Sequence, residues 1–273
     1  MKFSVIITCY NNGDCVLDAV ASVRDQVYAD WELIVVDDAS QDDSVVKLKH
    51  ALRNCPRARV IVLPENSGGP ARPRNIGVEA ATGDWVAFLD ADDIWHRDKL
   101  RLQAEAIQAT QACIVSSAKV LFNRAEVGLA AAAVDLPEAS KTGRWISYRS
   151  MLFKNWLCTS SVVMTRDLAS ACPFPEVRRY RAIEDYRVWL DSHKRVAQSF
   201  RLDIPLVYYR IHAGSISKDK WGMIKKNWML YREYFSGWRR VVLPPCMMVS
   251  YVFFSALLQV RLGRGLCASA GEK

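Results

Sequence analysis

A short apolar run of strand length, Trp85–Leu89, is followed at once by three acids, Asp90, Asp92 and Asp93. If the extended geometry continues, Asp90 and Asp92 point to the same side, because side chains alternate along a strand. Two carboxylates at the end of a strand can hold a hard divalent cation and leave coordination positions for substrate phosphates. Because Asp is also common in turns, a polar turn is the simpler alternative. Three acids within four residues favour the cation site.

Polar residues also follow the first two predicted strands, Phe3–Thr8 and Trp31–Val36. Tyr10 and Asn11 begin the loop after the first strand, and a pair of acids at positions 37 and 38 follows the second. Ligands of parallel α/β sheets bind outside the C-terminal ends of the strands. We therefore expect these residues and the acids after Leu89 to lie close together in space.

Two further candidates occur later in the chain. Glu184 and Asp185 begin a predicted helix, where acids are ordinary because they interact favourably with the helix dipole. His212 lies in a Gly/Ser turn after the predicted strand Ile204–Arg210. A lone His is usually structural, but this one follows a strand end, where ligands bind. Both sites therefore have a structural and a functional interpretation.

The loop at residues 66–77 contains three glycines, two prolines, Arg72 and Arg74. Pro70 or Pro73 can occupy the first turn of a helix that runs to about Ala81. The helix N-terminus and the arginines would favour a nearby anion. The loop is neither a Walker loop nor GxGxxG. A solvated arginine pair is the alternative interpretation.

Strands that alternate with helices predict βαβ units and a mostly parallel sheet. The other predicted strands are Val60–Leu63, Cys113–Phe122 and Cys158–Thr165. The other predicted helices are Cys15–Gln26 with Asp14 as N-cap, Ser44–Leu52, His96–Thr110 and Arg144–Trp156.

The chain of 273 residues is 51% hydrophobic and has a net charge of +8. Its length fits one large domain, or one domain with an appendage. The positive charge suits a nucleotide, an anionic membrane surface or a nucleic acid as partner. The eight cysteines form no CxxC pair, which favours reduced cytosolic thiols over a zinc site or a disulfide framework.

The C-terminal extension, residues 218–273, differs from the rest of the chain. Basic and aromatic residues are interleaved up to Arg240, and residues 241–260 are uncharged and mostly apolar. Pro244 and Pro245 leave a helix of about fifteen residues, whereas a spanning helix needs roughly 20. This arrangement favours an interfacial anchor over a helix packed on the domain, and either over a true span. We therefore expect peripheral membrane contact through residues 218–264.

Taken together, these motifs resemble the inverting glycosyltransferases of family 2, of the bacterial surface-polysaccharide type. The matching motifs are VIITCYN, VVDDASQDDS, NSGGPARPRNIG, FLDADDIW, EDYRVWL and YYRIHAGSIS. Arg72 and Pro73 replace residues that are commonly alanines in the family, and Arg97 stands where Pro is frequent. The resemblance implies an α/β fold with a single GT-A (Rossmann-like) domain over residues 1–217 and a mostly parallel central sheet. Residues 218–273 would form a helical, membrane-associated extension.

The resemblance also implies a nucleotide-diphospho-sugar donor, expected to carry UDP, and a divalent cation, Mg²⁺ or Mn²⁺. Asp185 matches the catalytic base, and Asp92 and His212 match residues that reach the metal or the diphosphate. The positions that match the donor nucleotide site are Thr8, Tyr10, Asn11, Asp37, Asp38, Arg74, Asp90 and Ala91. Glu184, Asp93 and Trp95 are expected near the acceptor or behind the site.

The predicted function is transfer of a sugar to a hydroxyl of a glycan or lipid-linked saccharide at the inner face of the cytoplasmic membrane. A non-catalytic sugar-nucleotide-binding protein is an alternative. A nucleotidyltransferase is less favoured, because a Gly-rich basic loop would be expected where the chain has TCYNNGDC. A nucleic-acid binder is disfavoured, since much of the basic excess lies beside the apolar segment of the C-terminal extension.

Overall fold

The computed structural model describes residues 1–122, 142–211 and 220–235, which form an α/β domain around one large sheet. The strands are β1 (Phe3–Cys9), β2 (Trp31–Asp37), β3 (Ala58–Val62), β4 (Trp85–Asp90), β5 (Ile94–Trp95), β6 (Ile114–Phe122), β7 (Gly143–Ser147), β8 (Val163–Thr165) and β9 (Gln198–Arg210). The helices are α1 (Cys15–Arg24), α2 (Ser44–Leu52), α3 (Ala71–Ala80), α4 (Lys99–Thr110), α5 (Tyr148–Phe153), α6 (Arg166–Ala171), α7 (Glu184–Val196) and α8 (Lys220–Tyr234).

The strand order in the sheet is β3-β2-β1-β4-β8-β6-β9-β5, with β7 paired to the long strand β9. Strands β3, β2, β1 and β4 pair in parallel, and so do β6 and β9. The short strands β5, β7 and β8 pair antiparallel to their neighbours. The prediction of an α/β domain with a mostly parallel central sheet is therefore confirmed.

Both faces of the sheet are covered, as expected for parallel strands made of nearly continuous apolar runs. Along β1, Phe3, Val5 and Ile7 are buried in one hydrophobic cluster with residues of α1, α2 and α4. Ile6 points to the opposite cluster, which includes residues of α3, α6, α7 and α8. The period of two along the strand thus divides the core between the two faces.

Helix α8 packs against the domain. Leu230 and Tyr231 are fully buried in the hydrophobic cluster that contains Ile6. The Tyr234 hydroxyl donates to Asp191 Oδ1 of α7 at 2.6 Å. The first helix of the predicted extension is thus part of the folded domain. None of the helices in the described ranges is long and apolar enough to cross a membrane. The apolar segment 241–260 lies outside the described residues.

Two predicted elements were wrong in type. The segment 144–156, predicted as a helix, forms β7 and then α5, because Trp145 and Ile146 pair with β9 at Phe200 and Ser199. The segment 158–165, predicted as one strand, begins with a 3-10 turn at Thr159–Ser161 and becomes extended only in β8. Three consecutive hydroxyl residues favour the turn, since such side chains compete for nearby backbone groups.

Asp14 stands at the N-cap position of α1, as predicted, but makes no capping hydrogen bond. Its carboxylate instead accepts from Lys47 Nζ of α2 at 2.6 Å. The side chain therefore links α1 to α2.

Candidate active site

A cleft of about 1240 Å³ opens where β1, β2 and β4 end. It exceeds the roughly 300–1,000 Å³ of most small-molecule sites, so it has room for more than one ligand. Nine of the predicted site residues line it: Thr8, Tyr10, Asp38, Arg74, Asp90, Ala91, Asp92, Glu184 and Asp185. The structure therefore brings together residues that are separated by up to 177 positions in the sequence (185 − 8).

Two predicted residues near the first strand ends support loops and do not line the cleft. Asn11 Oδ1 accepts from the Gln41 amide at 2.7 Å, which ties the loop after β1 to the loop after β2. Asp37 is fully buried and accepts from the Ser40 amide at 2.9 Å and from the Ser40 hydroxyl at 2.5 Å. Both residues shape the backbone around the cleft. His212 lies outside the described residues.

Asp93 and Trp95 lie beneath the acidic turn that follows β4. The Asp93 amide donates to the Asp90 carbonyl at 3.0 Å, so the chain turns after Asp90 and the strand does not continue to Asp92. The Asp93 carboxylate accepts from Ser160 Oγ at 2.5 Å and from the Arg210 amide at 3.0 Å. Burial raises the pKa of Asp93 well above its ordinary value, and the neighbouring acids raise it further. Trp95 Nε1 donates to the Ser160 carbonyl at 2.7 Å.

Arg210, at the end of β9, braces the acidic turn from behind. Its side chain is almost fully buried, with Nε donating to the Asp92 carbonyl at 2.7 Å. Nη2 donates to Asp18 Oδ2 of α1, also at 2.7 Å. Together with the bond from its amide to Asp93, these contacts hold the backbone of the turn in one position.

Arg74 of α3 joins two acids from different parts of the chain. Its Nη2 lies 2.7 Å from Asp90 Oδ1, and its Nη1 lies 3.2 Å from Glu184 Oε1. Burial acts to lower the pKa of Arg74, but the charges of Asp90 and Glu184 outweigh it and raise the pKa. The guanidinium therefore stays charged and fixes β4 relative to the start of α7.

Asp185 lines the cleft beside this ion pair. Burial raises the pKa of Asp185 to about 6, and the charge of Glu184 acts in the same direction. The charge of Arg74, the Tyr186 amide and the Thr159 hydroxyl oppose the shift. A carboxylate with this pKa is mostly ionised at pH 7, yet it is more basic than an ordinary Asp. Such tuning is typical of a general base.

Asp38, at the end of β2, is engaged by the loop that precedes α3. Its carboxylate accepts from the Ser67 amide and hydroxyl, each at 2.9 Å, and from Asn66 Nδ2 at 3.1 Å. Burial raises the pKa of Asp38, and the bonds from Ser67 oppose this. The carboxylate therefore fixes the loop that forms one side of the cleft.

A divalent cation fits the chemistry of Asp90 and Asp92, because both line the cleft and carboxylate oxygens are the ligands that hard cations prefer. Within residues 1–122, 142–211 and 220–235, no group of three ligating side chains comes together. Mg²⁺ is often bound by one or two carboxylates together with substrate phosphates and water. The two acids suit that arrangement, in which the donor supplies the remaining oxygens.

Sequence patterns did not identify two polar residues that act on the site. Thr159 donates to Asp185 Oδ2 at 3.1 Å from the 3-10 turn that was predicted as strand. Asn66 bonds Asp38 from the loop before α3. A run of three hydroxyl residues inside a predicted strand was the available signal for Thr159, whereas Asn66 had none beyond its loop position.

Comparison with known families and sequences gives consistent matches. A family model described as "Glycosyl transferase family 2" matches residues 4–156. The chain is 33% identical over 230 residues to the "Putative teichuronic acid biosynthesis glycosyltransferase TuaG" of Bacillus subtilis (strain 168), covering 84% of this chain and 87% of that protein. It is 29% identical over 233 residues to the "UDP-Glc:alpha-D-GlcNAc-diphosphoundecaprenol beta-1,3-glucosyltransferase WfgD" of Escherichia coli, covering 85% of each.

Among solved structures, the chain is similar to S. aureus TarS 1-349 in complex with UDP-GlcNAc, with a TM-score of 0.68 and 22% sequence identity. The match covers 85% of this chain and 65% of that one, so this chain spans somewhat less than two thirds of its length. At this identity, the likeness shows that the two chains share a fold.

Proposed function

Since this chain belongs to glycosyl transferase family 2, we propose that it transfers a sugar from a nucleotide-diphospho-sugar to a hydroxyl of a saccharide acceptor. The observation that carries the proposal is the position of Asp185, a base with a raised pKa, in the same cleft as Asp90 and Asp92. We propose that the donor carries UDP. The TuaG and WfgD relatives support a polysaccharide or lipid-linked saccharide as acceptor.

In this proposal the donor nucleotide lies over the ends of β1 and β2. Thr8, Tyr10 and Asp38 line that half of the cleft, and the loop held by Asp38 closes its side. The diphosphate then reaches the end of β4, where Asp90 and Asp92 face it. Arg74 neutralises Asp90 and Glu184, which reduces the repulsion that these acids would exert on the phosphates.

Asp185 acts as the general base. It removes the proton from the acceptor hydroxyl while the oxygen attacks the anomeric carbon of the donor sugar. A single attack from the face opposite the leaving diphosphate inverts the anomeric configuration, and no second nucleophile is needed. Thr159, which donates to Asp185, holds the carboxylate in position.

The leaving diphosphate develops negative charge as the glycosidic bond breaks. Asp90 and Asp92 would hold Mg²⁺ or Mn²⁺, and a bound divalent cation supplies Lewis-acid stabilisation of that charge. Asp93 and Arg210 keep the backbone of the acidic turn in place during this step.

The role of Asp185 is tested by Asp185→Asn. We expect transfer from UDP-sugars to fall by about 10²–10⁴-fold, because the amide cannot accept the proton. Affinity for the donor should be largely unchanged, as measured by calorimetry with UDP. The exposed Asp167→Asn, which does not line the cleft, is the matched control. Retained turnover in the Asp185 variant would instead support a different base, and absence of turnover in the native chain would favour a non-catalytic sugar-nucleotide-binding protein.

The role of Asp92 is tested by Asp92→Ala. We expect the stimulation of UDP binding by Mn²⁺ to disappear, since the cation loses one of its two protein carboxylates. Titration calorimetry with and without Mn²⁺ measures this. Asp84→Ala is the control, because Asp84 is exposed and adjoins the opposite end of β4. Metal-stimulated binding of normal strength in the Asp92 variant would contradict the assigned role.

A further inference from the structure

The half of the cleft away from Asp38 has a wall that the donor site does not use. Strand β6 lies two strands beyond β4 in the sheet, on the side opposite β2. At about 4.8 Å per strand, the separation between β4 and β6 is about 10 Å. Lys119 of β6, Arg201 and Tyr209 of β9, and Lys154 and Trp156 of the segment after α5 line this wall. We call these five residues the cationic wall.

Two lysines of the cationic wall lie on aromatic rings. Lys119 Nζ lies 3.5 Å from the centroid of the Tyr209 ring, and Lys154 Nζ lies 4.2 Å from the centroid of the Trp156 ring. A cation on an aromatic face is stabilised in its charged form. The ammonium groups also occupy ring faces on which a neutral sugar could otherwise stack. The two pairs therefore favour an anion over an uncharged saccharide at this wall.

Arg201 adds a third cation. Its Nη1 donates to Asp203 Oδ1 at 3.0 Å, whereas its Nε is buried and has no hydrogen-bond partner within the described part of the chain. An unsatisfied buried donor is costly, so a ligand oxygen or water is expected there. Lys119 and Arg201 both line the cleft, and they lie on β6 and β9, which pair with each other. The two cations thus converge on one region of the cleft.

The cationic wall adjoins the proposed base. Thr159, which donates to Asp185, directly follows Cys158 and lies three residues after Trp156. Of the two acids near the donor diphosphate, Asp90 already has a cation of its own, because Arg74 pairs with Asp90 and Glu184. The wall is therefore placed to bind the molecule whose hydroxyl Asp185 deprotonates.

Resting on the proposed function, we infer that the acceptor carries a phosphate or diphosphate close to the accepting sugar, and that the cationic wall binds it. The favoured acceptor class is a saccharide linked through diphosphate to a carrier. Lys119, Lys154 and Arg201 contribute the charge, and Trp156 and Tyr209 hold the lysines in place.

The test uses the full-length chain saturated with UDP and Mn²⁺, and two probes measured by titration calorimetry. One probe is GlcNAc diphosphate esterified with an octyl chain, and the other is the neutral octyl glycoside of GlcNAc. We expect the diphosphate probe to bind at least tenfold more tightly. Lys119→Met and Lys154→Met should each weaken its binding several-fold, with little effect on the neutral probe or on UDP. Lys194→Met is the matched control, because Lys194 also lies on a ring, that of Tyr234, outside the cleft.

Equal binding of the two probes, or unchanged binding of the diphosphate probe in both variants, would overturn the inference. Loss of UDP affinity in these variants would also overturn it, because the lysines would then serve the donor diphosphate. A native chain that binds no UDP would contradict the proposed function itself, and with it the inference. A chain that binds UDP but does not distinguish the probes would refute the phosphate-binding wall alone.

Discussion

At the scale of single residues, the charge of Arg74 acts on three acids of the cleft. It lies in the interior and contacts Asp90 and Glu184 from two different segments, and its charge also lowers the pKa of Asp185. One Oε atom of Glu184 is buried and has no hydrogen-bond partner among the described residues. The charge of Glu184 therefore depends strongly on Arg74 for compensation.

We expect Arg74→Met to destabilise the protein by about 3–5 kcal/mol, since removal of one partner leaves buried charge uncompensated. Arg72→Met is the matched control from the same helix, because Arg72 is 41% exposed and lies 3.7 Å from the exposed Glu65. Its loss should cost about 0–1 kcal/mol. Urea unfolding measures both. Similar destabilisation by the two variants would contradict the structural role of the buried ion pair.

The Arg74→Met substitution should also change the pH dependence of transfer. In the native chain, transfer should decline as the pH falls below about 6, because Asp185 becomes protonated. Since the charge of Arg74 lowers the pKa of Asp185, Arg74→Met should move this acid limb to higher pH. The pH dependence of kcat measures the shift. An acid limb that stays in place, or moves to lower pH, would show that Arg74 does not act on the base.

At the scale of elements, the packing of α3 on β1 determines where Arg74 is held. Gly77 of α3 faces Ile6 of β1 so closely that an added Cβ would lie 3.2 and 3.3 Å from two Ile6 carbons and closer still to Cγ2. The close approach of helix and strand brings the first turn of α3 to the edge of the cleft. A glycine at this position is therefore required for packing.

We expect Gly77→Ala to lower stability by about 1–3 kcal/mol through overpacking. An Ala in an unconstrained helix would instead be favourable by about 1 kcal/mol relative to Gly. Gly69→Ala is the control, since its Cβ would meet only Arg181 Cγ, at 3.9 Å. Thermal unfolding measures the difference, at about 2–4 °C per kcal/mol for a domain of this size. A stabilised Gly77 variant would refute the close packing.

At the scale of the whole molecule, the C-terminal extension has two parts: a helix packed on the domain and an apolar stretch that follows it in the sequence. Helix α8 begins the extension and contacts α7 through Tyr231, whose ring meets that of Tyr186, and through Tyr234, which donates to Asp191. Beyond it, the sequence has the apolar run 241–260, followed by Arg261 and Arg264. We propose that this run lies at the surface of the membrane that carries the acceptor.

Deletion of residues 241–273 should release the chain from membranes, because the apolar segment is removed together with Arg261 and Arg264. Deletion of residues 265–273 alone is the control, since it keeps both. Co-sedimentation with anionic phospholipid vesicles measures the retained fraction. A full-length chain that stays entirely in the supernatant would refute the anchor.

The sequence by itself determined the central strands and the residues at their ends. Phe3–Cys9, Trp31–Asp37 and Trp85–Asp90 are nearly continuous apolar runs that end in polar residues, and buried parallel strands require this pattern. Because parallel strands end at the same edge, the gathering of Thr8, Asp38 and Asp90 at one cleft could also be predicted.

Only the tertiary structure determined which distant residues come together and how they act on one another. Residues 143–147 became a strand because β9 offers them a partner, and that partner comes some 55 residues later in the chain (198 − 143). The raised pKa of Asp185 depends mainly on burial, which no local pattern encodes; its sequence neighbour Glu184 adds to the rise, and Arg74 of α3 opposes it. Likewise, Lys119, Lys154 and Arg201 look like ordinary surface cations in the sequence. They form one wall because pairing between β6 and β9 and the return of the chain after α5 bring them together.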